Sequence, residues 1–289
     1  MGRRRSLSGS RMLITGASQG IGRALAEGAA ERGAKVLAAA RSVAMLNELA
    51  ESIRAKGGTI EVVQADVTSA EDRRKMADAA VQRFGGLDIL VNNAGIGATG
   101  HFADVSPERM RQIMEVNFFS LTETTRVCLP LLKQGNRPAI VNISSIAGKR
   151  GIPARSQYSA SKFAVQGFSE ALRAELAKDG VDVLVICPGL TQTNFSQNMI
   201  EQKALVKLDH MRGMTAEQVA RATLKAIERG KNEVRLSFKG KLICLVARFL
   251  PRIADWFVRR KVRSLFQEER AARAQKRLNA ALSDHGSHG

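Results

Sequence analysis

Aromatic side chains are scarce in this 289-residue chain, at 4% of the total, with one Tyr and one Trp. Proteins that hold single-stranded nucleic acid stack bases on such rings, so the net charge of +18 has no stacking platform to work with. Acids are also thin, but only in places. From Arg235 to Ala280 there are 13 Lys or Arg against 3 acids, and Arg3, Arg4, Arg5 and Arg11 crowd the start, whereas Met12 to Val234 carries 28 against 23. The excess charge belongs to the ends, and no nucleic-acid partner is expected.

Cysteine is nearly as sparse. Cys128, Cys187 and Cys244 are odd in number and lack CxxC or Cys/His spacing, which excludes a disulfide framework and a zinc site and points to a reducing compartment. A long clean apolar run is missing too. Leu242 to Val258 is interrupted by Arg248, Pro251, Arg252 and Asp255 and falls short of the ~20 residues of a spanning helix. Met1 to Arg11 has no apolar core of a secretory signal. The expectation is a cytoplasmic protein without metal, with peripheral contact at a membrane surface as its one qualification.

What is present is an alternation of short apolar runs with helical patterns. Strands are expected at 11–15, 34–40, 59–64, 87–91, 139–144, 181–186 and 233–238. Helices are expected at 23–32, 43–56, 70–84, 109–132, from about 158 onward, and 215–229, the last opening on the capping pair Thr215 and Gln218. Repeated β-α-β units imply parallel strands with right-handed crossovers. The segment 192–213 carries Phe195, Met199, Leu205, Leu208 and Met211 without a clear period and reads as an apolar lid or a packed loop.

The first strand runs straight into Gly16-Ala17-Ser18-Gln19-Gly20-Ile21-Gly22 and then a helix. Glycines there allow a tight turn and close approach to a pyrophosphate, which the free amides of the helix N-terminus attract. The second strand ends at Arg41-Ser42, where an acid would bind the ribose 2′-hydroxyl of NAD; an arginine in its place suits the 2′-phosphate of NADP. Asp66-Val67 and Asn92-Asn93-Ala94-Gly95 follow the third and fourth strands, at the ends that face a nucleotide crevice.

The chemistry is expected around Ser145, Tyr158 and Lys162. Tyr158 and Lys162, four apart, share one helical face, and a nearby cation favours the phenolate. Ser145 follows the fifth strand, where its hydroxyl can hold a carbonyl oxygen while Tyr158 exchanges a proton with it. Asn117 falls within a helical run, either as a satisfied polar group or as a break in the helix pairing that holds a water.

TGASQGIG, NNAG, Asn117, Ser145, YSASK and the Pro188-Gly189 turn, in this order and spacing over 11–238, resemble the short-chain dehydrogenases/reductases. The resemblance implies an α/β fold of Rossmann type, a doubly wound seven-stranded parallel sheet in order 3-2-1-4-5-6-7. It would occupy residues 1–238, with 239–289 as a basic, partly apolar C-terminal helical extension and tail. It implies Tyr158 as acid-base, Lys162 as the residue that lowers its pKa and binds the nicotinamide ribose, and Ser145 on the substrate carbonyl. Asn117 would hold the water of a proton relay through Lys162. Cofactor contacts are implied for Gly16, Ser18, Gln19, Gly20, Ile21 and Gly22, for Arg41 and Ser42, and for Asp66, Val67, Asn93, Ala94 and Gly95. Pro188, Gly189, Thr191 and Thr193 would line the nicotinamide side.

The activity so implied is NADP(H)-dependent interconversion of an apolar carbonyl and a secondary alcohol, in a homodimer or homotetramer. A 3-oxoacyl thioester reductase and a non-catalytic dinucleotide sensor are the alternatives; a sensor need not keep Ser145, Tyr158, Lys162 and Asn117 together. The extension is read as amphipathic helix, serving a membrane surface, a substrate entrance, the chain's own core or a second subunit.

Overall fold

The fold is taken from a computed structural model, which describes residues 4–193, 199–200, 213–265 and 275. Seven strands form one parallel sheet: β1 (Arg11–Thr15), β2 (Lys35–Ala40), β3 (Thr59–Gln64), β4 (Ile89–Asn92), β5 (Ala139–Ile143), β6 (Asp182–Cys187) and β7 (Glu233–Arg235). Their spatial order is 3-2-1-4-5-6-7. In register, Leu13 of β1 lies between Leu37 of β2 and Leu90 of β4.

The central strands β1, β4 and β5 are buried on both faces, which is why they read as continuous apolar runs rather than alternations. Side-chain alternation still sorts them into two cores. Met12, Ile14, Val36 and Ile186 pack under α1 (Gly20–Ala30), α2 (Val43–Ala55) and α7 (Ala216–Glu228) through Leu25, Leu46, Leu49 and Leu224. Leu13, Leu37, Leu90 and Val183 pack on the other face with Met76 of α3 (Ala70–Phe84) and with Cys128 and Leu132 of α5 (Ser120–Lys133).

The helix ends follow from their residues. Ser42 and Ser69 accept from the backbone amides of Met45 and Asp72, and α3 stops at Gly85 with φ +74°, a conformation that suits glycine. Thr215 and Gln218 form the expected capping box.

Two sequence expectations need correction. The run 109–132 is not one helix: α4 (Pro107–Met114) passes into a π-turn at Glu115–Phe119 before α5 begins. The last strand stops at Arg235, because Ser237 accepts from the amide of Gly240 and opens a new helix, α8 (Phe238–Phe249), followed by α9 (Pro251–Leu265). Of the expected lid, Phe195, Leu205, Leu208 and Met211 lie outside the described residues. Its two ends are joined by a short parallel ladder of Thr191–Gln192 with Met214–Thr215, so the segment leaves and returns at one place.

Candidate active site

Parallel topology delivers the loops after β1, β2, β3, β4, β5 and β6 to one edge of the sheet, where they line a cavity of about 1210 Å³. Its floor begins at the glycine turn. Gly16 and Gly20 have φ of +66° and +57°, and a Cβ on Gly22 would come 2.2 Å from the Gly16 carbonyl oxygen. Gly22 therefore makes the turn and does not line the cavity, whereas Gly16, Ser18, Gln19, Gly20 and Ile21 do.

Thr15 and Asn93 lock this turn to the β4 loop. The Thr15 hydroxyl accepts from the amides of Asn93 (3.0 Å) and Ala94 (3.2 Å), and Asn93 Nδ2 donates to the carbonyls of Thr15 and Gly16. Thr193 is brought to the same turn, 3.4 Å from where a Gly20 Cβ would stand. Pro188, Gly189 and Thr191 line the neighbouring wall.

At the far end stand Arg41, Ser42, Asp66 and Val67. Arg41 is exposed beside the N-terminus of α2, and no carboxylate follows β2. Asp66 accepts from the amide and hydroxyl of Thr68. A glycine cradle at one end, a cation at a helix N-terminus at the other, and a long cavity between fit a dinucleotide.

Above the cradle, α6 (Ser156–Glu175) presents Tyr158 and Lys162 on one face, and Ser145 approaches from the end of β5. Lys162 Nζ donates to the Ile143 carbonyl at 2.9 Å and lies 5.8 Å from the Tyr158 ring centre. Burial brings the ammonium down to about 8. Burial pushes the Tyr158 phenol up, against a hydrogen bond from Ser145 and the positive charge of Arg155, both of which pull it down. Arg155 is thus a second cation beside the phenol, one that the sequence reading did not name. Ser145 Oγ also accepts from the Ala147 amide, which fixes the hydroxyl at the cavity wall.

Asn117 sits in the π-turn behind that wall and does not line the cavity. Both Nδ2 protons of its amide go to Ile96 and Ser161, and Oδ1 accepts from the Ile96 N–H. The π-turn alters the main-chain pairing around it. Arg155 was not a sequence candidate; a lone arginine in a Pro-Ala-Arg loop reads as surface, and its burial arises only when distant loops close over it. All other expected site residues meet at this cavity.

Comparison with known proteins agrees with this geometry. Residues 10–204 match the family model described as short chain dehydrogenase. The chain belongs to the short-chain dehydrogenase/reductase family. It is 32% identical over 289 residues to the ketoacyl reductase HetN of Nostoc, covering 98% of this chain and 99% of that one. Among solved structures, a short chain dehydrogenase/reductase from Burkholderia phymatum in complex with NAD superposes with TM-score 0.77 at 27% identity, over 84% of this chain and 94% of the other. An alcohol dehydrogenase from the archaeon Thermococcus sibiricus, complexed with 5-hydroxy-NADP, gives 0.71 at 25% identity, over 78% and 95%. This short-chain dehydrogenase/reductase is thus an oxidoreductase, similar to enzymes that bind NAD or NADP nucleotides. Among the described residues no His/Cys/Asp/Glu cluster could hold a metal, and no helix is long and apolar enough to cross a membrane.

Proposed function

We propose that the enzyme interconverts a carbonyl and a secondary alcohol with NADP(H) as cofactor. The observation that carries this is the meeting of Ser145, Tyr158 and Lys162 in one cavity wall above the glycine cradle. The bound nicotinamide supplies or accepts the hydride. Ser145 and Tyr158 hold the reacting oxygen; in reduction Tyr158 gives its proton to the developing alkoxide, and Lys162 holds the cofactor ribose and returns the proton from its own buried ammonium. Asn117 keeps the relay in place from behind. Arg41 at the end of β2, with no acid beside it, supports NADP over NAD. The cavity lining includes Ile96, Val116, Ile146, Ile152, Leu190 and Met214, which supports a substrate with an apolar body.

A ketoacyl reductase among the relatives keeps a 3-oxoacyl thioester reductase as the second reading. Screening simple ketones against 3-oxoacyl thioesters with NADPH separates the two. Tyr158→Phe tests both, because it should abolish turnover while leaving cofactor binding intact; normal turnover in that variant would discard the assignment.

Two partners belong to the same reading. Exposed Phe119 and Phe163 offer an apolar face for a homodimer or homotetramer. The α8–α9 extension is a candidate for an anionic membrane surface. Leu242, Leu245, Phe249, Leu250, Ile253, Trp256 and Phe257 on it are 46–68% exposed. Eight Lys or Arg against one acid accompany them between Phe238 and Leu265. Such a strongly positive apolar face repels a second copy of itself and complements anionic lipid.

A further inference from the structure

Arg155 is a buried cation that the described residues do not neutralise. It precedes α6, is 8% exposed, and lines the cavity. Its Nε finds no acceptor, and Nη2 faces Met199 Sδ at 4.0 Å, a weak acceptor. No carboxylate among the described residues pairs with it, including Asp66 and Glu115 of the same cavity. Two other guanidinium groups withdrawn from solvent are paired, Arg5 with Asp182 and Arg11 with Asp88. A buried ion without a counter-charge is costly, and burial accordingly lowers the Arg155 pKa.

The backbone is strained to hold it there. Ala154 has φ +59°, a left-handed conformation that a residue with a Cβ rarely adopts. Its carbonyl accepts from Gly100 at 2.9 Å, the Arg155 amide donates to Ile152, and the Ile152 amide donates to Ser159 Oγ at 3.1 Å. The groups around Arg155 come from the loops after β4, β5 and β6, not from the glycine turn after β1 that faces the pyrophosphate. Arg155 therefore faces away from where the cofactor phosphates would lie.

We propose that Arg155 binds an oxyanion carried by the substrate, so that the substrate is an oxo acid or hydroxy acid, or the corresponding phosphate, with an apolar body. Arg155 caps the start of α6 close enough to Tyr158 for its charge to act on the phenol, and both side chains line the cavity. The charged group therefore lies within a few bonds of the reacting carbonyl. A carboxylate or phosphate presents two oxygens to the planar guanidinium and supplies a counter-charge that the described residues do not.

This inference rests on the cavity being the hydride-transfer site, and its test separates the two. Medium-chain 2-, 3-, 4- and 5-oxo acids, their methyl esters and the matching oxoalkyl phosphates are assayed with NADPH on the full chain and on Arg155→Gln and Arg155→Lys. For at least one position, kcat/KM should favour the anion over its ester by about ten- to a hundredfold. Arg155→Gln should erase that ratio through KM, and Arg155→Lys should restore part of it. Equal use of anion and ester by the parent, or an unchanged ratio in Arg155→Gln, overturns the inference and leaves the hydride-transfer reading standing. Calorimetry adds a readout independent of turnover. Decanoate or decyl phosphate, but not methyl decanoate, should bind the parent–NADPH complex, and Arg155→Gln should lose it; no anion binding by the parent overturns the proposal. Anion binding without turnover of any oxo compound would count against the hydride-transfer reading alone.

Discussion

Asn117 grips Ile96 through both edges of its amide: Oδ1 accepts from the Ile96 N–H at 2.8 Å and Nδ2 donates to the Ile96 carbonyl at 3.0 Å. Its second Nδ2 bond, to Ser161 Oγ at 3.0 Å, reaches the helix that carries Tyr158 and Lys162. One buried side chain thus fastens the β4 loop to α6. Asn117→Ala would strand those backbone groups, at about 1–3 kcal/mol each. Thermal unfolding should drop by several degrees, since about 1 kcal/mol corresponds to about 2–4 °C in a domain of this size. Turnover should fall together with it. An unchanged melting temperature would show that Asn117 fastens nothing.

The end of β2 makes a separate prediction. A charge-assisted contact from Arg41 to a 2′-phosphate contributes about 1.5–3 kcal/mol that NAD cannot gain, which is roughly a ten- to hundredfold preference for NADPH. Cofactor titration of the parent and of Arg41→Ala checks it. Equal affinity for NADH and NADPH in the parent would end the case for NADP.

Much of the architecture was legible because β strands buried on both faces announce themselves as apolar runs and serine caps mark helix starts; β1 falls at 11–15 and α3 at 70–84 as expected. The misses share a cause. The π-turn at Glu115–Phe119 alters the pairing over five residues, too few to change a periodicity. Arg155 is buried by approaches from Gly100 and Met199, both more than forty residues away in sequence.

Lys162 also predicts a pH dependence of stability. Its folded-state value is about 8 against an ordinary 10.5, because burial disfavours the charge. Between those values the unfolded chain carries a proton that the folded chain has lost, so this group makes stability rise with pH, by up to ~1.4 kcal/mol per unit. Below about pH 8 the lysine is charged in both states and the penalty is at its full size. Buried Cys128, pushed up to about 12, acts in the opposite sense, but it does so in the parent and in Lys162→Met alike. Urea unfolding of the cofactor-free proteins at pH 7.5 and 9.5 should show the parent gaining on Lys162→Met as pH rises. A difference that is flat or reversed would mean that Lys162 is not desolvated.

The extension gives the last prediction. Asp255 of α9 pairs with Arg150, in the loop between β5 and α6, so the exposed apolar face is anchored beside the substrate side of the cavity rather than at a remote end. Trp256 and Phe257 meet edge to face at 4.8 Å, and Arg260 lies 5.6 Å from the Trp256 ring centre, an amphipathic arrangement suited to a headgroup layer. Each basic residue near anionic lipid contributes about 1 kcal/mol, and that share is screened by salt. The full chain should therefore co-float with vesicles containing phosphatidylglycerol or phosphatidylserine, much less with pure phosphatidylcholine, and less again at high salt. Trp256→Ser with Phe257→Ser should weaken binding to anionic vesicles while leaving its salt dependence, whereas Arg259→Ser with Arg260→Ser and Arg263→Ser should flatten the salt dependence. Those two responses are separable because one removes buried area and the other removes charge. Equal flotation of all variants, or none by the parent, would assign this face to a protein partner instead, and gel filtration across a concentration series would then show whether that partner is a second copy of the chain.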